Sequence, residues 1–351
     1  MQCKKEVFCI SIKVVSLFDG ISCGRVALER IGYAVSYYAA FEIDKYARSI
    51  SRYQYSDIIQ YGDVLDADFT KFADMGIDLV IGGSPCTFWS IAKAQREIDK
   101  SGMGWKLFMR FVEAVRQIKP RYFLLENVAS MPAVIKDFIS AELGCEPIYI
   151  NSALLSAQHR KRLYWTNITG IAQPEDKGIL LKDIIDSGLS YLNKSYCITA
   201  TYAGATFEQT LRDKKRTTVA EPFNALPMAT SQDAGFFNAE TPEQIGIIGN
   251  GGQGERIYSV TAKSVSMKSQ GGGGGALTGL YKIDLPDGYY TIRKLTPIEA
   301  ERCQTLPDNY TAWGIDHNGN TVKISNTQRY RGIGNGFTVD VIAHILSHME
   351  H

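Results

Sequence analysis

The strongest constraint on this chain is the way its early apolar runs end. VVSLF (14–18), VSYYAAF (35–41), DLVIGG (78–83), YFLLENV (122–128) and IYINSALL (148–155) each stop at, or close to, a cluster of small or polar residues. Helix-like stretches such as GRVALERIG (24–32) and WKLFMRFVEAVRQIKP (105–120) separate them. Short strands alternating with amphipathic helices form βαβ units, so the first half is expected to be α/β with a parallel, helix-covered sheet. Such sheets hold ligands at the carboxyl ends of their strands. The residues to inspect are therefore SLFDG, FEID, YGD, GGSPC and LLENV.

From about Leu189 helical periodicity fades. Short β-like pieces (YCITATY, EQIGIIG, RIYSVT, ALTGLYKI) are divided by Gly, Ser/Thr and Asn/Gln. A second, irregular β-rich unit is expected there, with GGGGG (271–275) as a connector or a point of close backbone approach. Helical patterning returns after YYTIRKLTPIEAERCQTLPDNY, and TVDVIAHILSHM (338–349) reads as an amphipathic helix packing back on the first unit. The expected organisation is 1–188, then an insertion over 189–292, then 293–351 returning to the first part.

Lys+Arg 38 against Asp+Glu 37 names no partner by charge, and 45% hydrophobic residues suffice for a sizeable core. No stretch approaches the roughly 18 apolar residues of a membrane span, and the N-terminal run lacks a small-residue cleavage site, so a cytoplasmic chain is expected. The seven cysteines are scattered without a Cys-x-x-Cys pair, which argues against a zinc site or a disulfide framework. No metal is expected.

Phe18-Asp19-Gly20-Ile21-Ser22-Cys23-Gly24 follows a strand and opens a helix, and is either a tight structural turn or a loop whose backbone N–H groups hold a nucleotide-like ligand. Glu42 lies about 20 residues on, the placement of a carboxylate that accepts from ribose hydroxyls. Asp63 is open to two readings, acceptor for an adenine amino group or N-cap. Cys86, in Gly82-Gly83-Ser84-Pro85-Cys86, is placed as a nucleophile at a strand end, and 87–104 reads as a lid over it or as an ordinary surface loop. Glu126 is either hydrogen-bonded for structure or set up for proton work, a reading that the neighbouring Cys86 strengthens. Gln158-His159-Arg160-Lys161-Arg162 is either an exposed, solvated charge run or, since alternation sends Arg160 and Arg162 to one side, a pair of guanidinium forks for a phosphate or a carbonyl oxygen.

In this order the pieces resemble the DNA (cytosine-5) methyltransferases of bacterial and phage type. SLFDGISCG, FEIDKYA and YGDV resemble their cofactor motifs, GGSPCTFWS the Pro-Cys motif and LLENV the Glu-Asn-Val motif. QHRKRLYW resembles the Gln-x-Arg-x-Arg motif, while RKLTPIEAERCQTLPDNY and YRGIGNGFTVDVI resemble the two closing motifs. The resemblance runs from about Val14 to Ile345. It implies a Rossmann-like S-adenosylmethionine-dependent methyltransferase sheet with a smaller target-recognition domain over 189–292.

The resemblance also implies roles. Phe18, Asp19, Gly20, Gly24, Glu42, Ile43, Asp63, Val64, Pro85, Leu107, Asn335 and Gly336 would hold S-adenosylmethionine. Cys86 would add to carbon 6 of cytosine, Glu126 would serve ring nitrogen 3, and Arg160 and Arg162 would contact the base carbonyl or a neighbouring phosphate. Double-stranded DNA would be met by Ser90, Gln158, Gln253, Glu255, Arg256, Gln270 and Gly273. Arg256 and Glu255 would read G·C pairs, and Gln253 would fill the space left by a flipped base. Lys93, Arg96, Lys100, Lys106 and Arg160 to Arg162 would line the cleft. A monomer is expected, with any cognate restriction endonuclease a functional rather than a physical partner.

Three departures stand out. Gly336 replaces the usual Ser after Gly334-Asn335, Ile43 stands where an aromatic often stacks on adenine, and Thr87-Phe88-Trp89 is a bulky flank for the nucleophile. The rival readings are a tRNA cytosine-5 methyltransferase of the same family, a nucleotide-dependent oxidoreductase, and a DNA-binding relative without catalysis.

Overall fold

The computed structural model describes residues 11–90, 96–190, 192–202, 217–222, 244–247, 256–258, 280–285 and 288–350. Its central sheet contains β1 (Ser11–Leu17), β2 (Ala34–Phe41), β3 (Ile59–Gln60), β4 (Leu79–Gly82), β5 (Tyr122–Val128), β6 (Ile148–Asn151) and β7 (Lys161–Thr166). Their order is β3-β2-β1-β4-β5-β7-β6. β1 to β5 run parallel, and β7 lies antiparallel to both β5 and β6.

The central strands are apolar without alternation because both faces are covered. Successive side chains point to opposite faces, so neighbours in one strand enter different cores. Val14, Leu79, Ile81 and Leu124 pack on the side of α1 (Cys23–Arg30). Val15, Val80 and Leu125 pack with Phe108 and Phe111 of α3 (Met103–Ile118) and with α4 (Ala133–Leu143). Truncating any of the fully buried leucines to alanine should cost about 2–5 kcal/mol.

The helix that follows β2, α2 (Lys45–Gln54), begins where Asp44 accepts from the N–H groups of Tyr46 and Ala47 at 2.8 and 3.1 Å. The segment 148–155 is a strand only to Asn151. There the Asn151 side chain accepts from Ala153 N–H at 3.2 Å and starts a tight helical turn.

After β7 the chain forms a separate five-stranded sheet, in order β8-β12-β11-β10-β9. The strands are β8 (Thr218–Pro222), β9 (Gln244–Ile247), β10 (Arg256–Tyr258), β11 (Leu280–Leu285) and β12 (Gly288–Lys294). The five-glycine run lies outside the described residues. α5 (Pro297–Cys303) opens with a capping box between Thr296 and Glu299. A hairpin of β13 (Trp313–Ile315) and β14 (Thr321–Lys323) then packs on α2, and α6 (Asn326–Asn335) and α7 (Val339–Leu346) follow.

α7 returns to the first core as the amphipathic pattern predicts. Val339, Val341, Ile342, Ile345 and Leu346 are buried in it, and Arg30 of α1 forms an ion pair with Asp340.

Candidate active site

A cavity of about 290 Å³ opens at the carboxyl ends of β1, β2, β4 and β5. Thirteen sequence-derived candidates line it: Phe18, Gly20, Glu42, Ile43, Asp63, Val64, Pro85, Cys86, Leu107, Glu126, Arg160, Arg162 and Asn335. The cavity therefore joins the nucleotide-like end, at Glu42 and Asp63, to the chemical end, at Cys86 and Glu126.

The turn after β1 is shaped by left-handed backbone at Phe18, Gly20 and Ser22, with φ of 56°, 61° and 62°. Non-glycine residues hold such angles only when other contacts fix them. Asp19 supplies those contacts, accepting from Ser16 Oγ at 2.6 Å, Ser22 Oγ at 2.5 Å and the Tyr38 hydroxyl at 2.7 Å. Burial pushes its carboxyl pKa up, against the lowering effect of these donors. Glu42 couples this turn to the next. One carboxylate oxygen accepts from Gly20 N–H at 2.9 Å, and the other from Ile43 and Asp44 N–H at 2.8 and 2.7 Å. Burial raises its pKa, and the backbone donors oppose that rise.

Cys86 begins a tight turn over 86–88, preceded by Pro85. Its carbonyl accepts from Trp89 and Ser90 N–H. Asn127, at the end of β5, donates to the Ser84 carbonyl and hydroxyl at 3.0 Å each, which fixes the Pro-Cys turn to the strand beside it. Burial raises the Cys86 thiol pKa; Glu126 adds to the rise, and Arg162 and Arg160 oppose it. Glu126 Oε1 lies 2.7 Å from Arg162 Nε. Gly83 makes room for this carboxylate, because a Cβ there would lie 3.2 Å from Glu126 Oε2 and 2.8 Å from the Phe337 ring.

Arg160 is 3% exposed, and its two terminal nitrogens are spent on the protein. It donates to the carbonyls of Ile198 at 3.1 Å, Gly334 at 3.2 Å and Gly336 at 2.9 Å, and lies 3.4 Å from Cys197 Sγ. Its Nε is buried without a hydrogen-bond partner among the described residues. Arg160 therefore lines the cavity while tying β7 to the closing loop, which corrects the expectation of a free phosphate grip. Cys197 is a site neighbour that its place among irregular β pieces concealed. Burial alone would raise its thiol pKa, but Arg160 and Arg162 outweigh that and lower it.

Other expectations are corrected by burial. Gln158 is fully buried and donates to the Cys303 carbonyl at 2.6 Å and Gln304 Oε1 at 2.9 Å, so it is a structural hub and not a DNA contact. Asp19, Gly24 and Gly336 stand behind the cavity wall. A Cβ at Gly24 would lie 3.3 Å from both Ile81 Cδ1 and the Tyr38 hydroxyl, and one at Gly336 would lie 2.8 Å from Cys23 Sγ. The bulk of Cys23 thus explains why glycine follows Asn335 here. Asp63 is an N-cap, accepting from Leu65 N–H at 2.9 Å, and also faces the cavity. Lys100 faces α4, 3.5 Å from Glu142 and over the Trp105 ring, so it does not belong to a basic cleft.

Ser90 is half-buried and outside the cavity lining. Lys93, Gln253, Glu255, Gln270 and Gly273 lie outside the described residues, and Arg256 is the first residue of β10. In the expected lid, Glu97 and Arg96 are tied down. Glu97 accepts from Gly104 N–H at 2.9 Å, and Arg96 donates to the Ser130 carbonyl at 3.1 Å. The motif reading missed Gln328 and Arg331 of α6, which also line the cavity. Arg331 reaches Asp44 at 3.0 Å.

The chain matches the C-5 cytosine-specific DNA methylase family over residues 12–351. It belongs to that family. The chain is 26% identical over 339 residues to the type II methyltransferase M.HhaI of Haemophilus parahaemolyticus, covering 95% of this chain and 93% of the relative. It is 24% identical over 348 residues to the type II methyltransferase M.HpaII of Haemophilus parainfluenzae, covering 93% and 86%. Among solved structures, the Entamoeba histolytica methyltransferase EhMeth superposes with a TM-score of 0.58 at 14% identity, over 96% of this chain and 97% of that one. The S. pombe Dnmt2 methyltransferase superposes with a TM-score of 0.55 at 13% identity, over 96% and 97%.

The enzyme is thus a cytosine-5 DNA methyltransferase, and the oxidoreductase reading is set aside. Among the described residues no group of His, Cys, Asp and Glu is placed to hold a metal ion, and no helix is long and apolar enough to cross a membrane.

Proposed function

We propose that this methyltransferase uses S-adenosylmethionine to methylate carbon 5 of a cytosine flipped out of a short, G·C-containing duplex site. The observation that carries the reading is the single cavity in which Cys86, Glu126 and Arg162 face the same space as Glu42 and Asp63. The donor set fits S-adenosylmethionine. Carboxylates at one end suit ribose hydroxyls and an adenine amino group, Phe18, Val64 and Leu107 form an apolar wall, and Gly20 allows close backbone approach. When bound, the cofactor supplies an electrophilic methyl group.

Carbon 5 of cytosine is a weak nucleophile. Addition of the Cys86 thiolate to carbon 6 makes carbon 5 enamine-like and reactive. Glu126, with one oxygen held by Arg162, hydrogen-bonds or protonates ring nitrogen 3 as charge builds there. Loss of the carbon 5 proton and departure of Cys86 then restore the ring. Because carbon 6 is hidden in a stacked duplex, the base must leave the helix at a cost of roughly a few kcal/mol.

The catalytic part comprises 1–188 and 293–351, and recognition falls to 189–292. Arg256 is assigned to a guanine and Glu255 to a cytosine of the site, each good bidentate pair contributing about 1–3 kcal/mol of discrimination. Gln253 fills the vacated position, and Gln270 and Gly273 approach the same groove. The protein acts as a cytoplasmic monomer on nucleoid DNA. Bisulfite sequencing of DNA from cells expressing it tests the reading. Methylation confined to one G·C-containing context supports it, as does relaxation at one guanine in Arg256→Ala. Methylation of tRNA instead of duplex DNA would favour the RNA-directed alternative.

A further inference from the structure

Helix α2 separates two cavities. Asp44 and Ala47 line the one already described, whereas Lys45, Arg48, Ser49 and Arg52 line the other. Those four residues follow the spacing of a single helical face. The second cavity, about 470 Å³, is closed on its far side by the β13–β14 hairpin and the residue after it, with Ile315, Val322, Lys323 and Ile324 in its wall. That volume lies within the roughly 300–1,000 Å³ of small-molecule sites.

Its charge is mainly positive, with four cations against the single carboxylate of Asp316. Lys45, Arg48, Arg52 and Lys323 form no ion pair among the described residues. The carboxylate in the wall, Asp316, accepts from the N–H groups of Asn318 and Asn320 at 2.9 and 2.8 Å. Two donors stand out. Arg48 Nε and Ser49 Oγ are buried with no hydrogen-bond partner among the described residues, and Ser49 is only 7% exposed. An unsatisfied buried polar group costs about 1–3 kcal/mol, and both lie in the helix that forms the cavity wall.

From this juxtaposition of unpaired cations and apolar wall, we propose that the cavity binds a phosphate-bearing small molecule of mononucleotide size. The guanidinium groups of Arg48 and Arg52 hold the phosphate, a partner their planar fork matches. Ile315, Val322 and Ile324 meet the apolar body. S-adenosylmethionine carries no phosphate, so this site does not duplicate the first, and the inference does not rest on the chemistry proposed there.

The test is calorimetric titration of the full chain, with and without saturating S-adenosylhomocysteine, using adenosine monophosphate, adenosine and inorganic phosphate as probes. The monophosphate should bind saturably in both conditions, at least about tenfold tighter than adenosine, with phosphate competing. Arg48→Gln/Arg52→Gln should weaken it at least about tenfold while S-adenosylhomocysteine affinity and the melting temperature stay unchanged. Should that double variant fail to fold, Lys323→Gln on the hairpin gives the same readout. The proposal is overturned by no saturable monophosphate binding, by equal affinity for adenosine, or by binding blocked by S-adenosylhomocysteine. Unaltered monophosphate binding in the variants overturns it as well. A loss of duplex-DNA affinity alone would assign the face to a nucleic-acid backbone and also overturn it.

Discussion

Glu126 Oε1 and Arg162 Nε lie 2.7 Å apart, with each side chain only 11% exposed. Two charges removed from water to this extent depend on each other, because deleting one strands the other. Arg162→Ala is therefore expected to lose about 3–5 kcal/mol of stability in urea unfolding. Arg162→Lys should recover part of it, since an ammonium restores the charge without the fork. An Arg162→Ala protein as stable as the parent would show that the pair is not coupled.

Glu126→Gln keeps the shape and removes the acid. Methyl transfer to duplex DNA should fall about 10²–10⁴-fold while S-adenosylmethionine affinity holds, because the proposed role of the carboxyl is toward the cytosine ring and not the cofactor. Parallel radiolabel transfer and calorimetry separate the two, and equal losses in both would make Glu126 a structural residue.

The pH dependence follows from Cys86. Burial and Glu126 raise its thiol pKa while Arg162 and Arg160 restrain it. Only the thiolate adds to carbon 6, so single-turnover methylation should climb through the alkaline range. Arg162→Gln removes a restraining cation and should move that limb to higher pH. A limb that moved to lower pH would contradict the electrostatic account.

Glu42 holds Gly20, Ile43 and Asp44 through three backbone hydrogen bonds while facing the cavity. Glu42→Ala should weaken S-adenosylmethionine binding by about tenfold or more, since hydrogen bonds to a charged group are worth about 1.5–3 kcal/mol. Calorimetry on the folded variant checks this, with unchanged affinity as the contrary outcome.

Much of this was legible in the sequence because strand ends carry the site. Cys86, Glu126, Glu42 and Asp63 each follow or close an apolar run, so one-dimensional periodicity located them. What periodicity cannot report is the direction a polar group faces once the chain folds back. Gln158 and Arg160 read as exposed members of a charged run, but the return of residues 303–336 covers both and takes up their donors. Cys197, Gln328 and Arg331 come from segments without a strand-end signature and reach the site only through tertiary packing. The glycine at 336 departs from the family's usual serine for a reason only packing shows, since Cys23 Sγ occupies the space a side chain there would need.

The central claim is that Cys86 is the covalent nucleophile, and trapping tests it most directly. In duplex DNA carrying 5-fluorocytosine at the target, fluorine replaces the proton that must leave carbon 5, so the thioether to carbon 6 persists. The parent protein, given S-adenosylmethionine, should form an adduct that survives denaturation, and peptide mapping should place the link at Cys86. Cys197→Ala should still form it, and Cys86→Ala should form none. A denaturation-resistant adduct in Cys86→Ala would contradict the account.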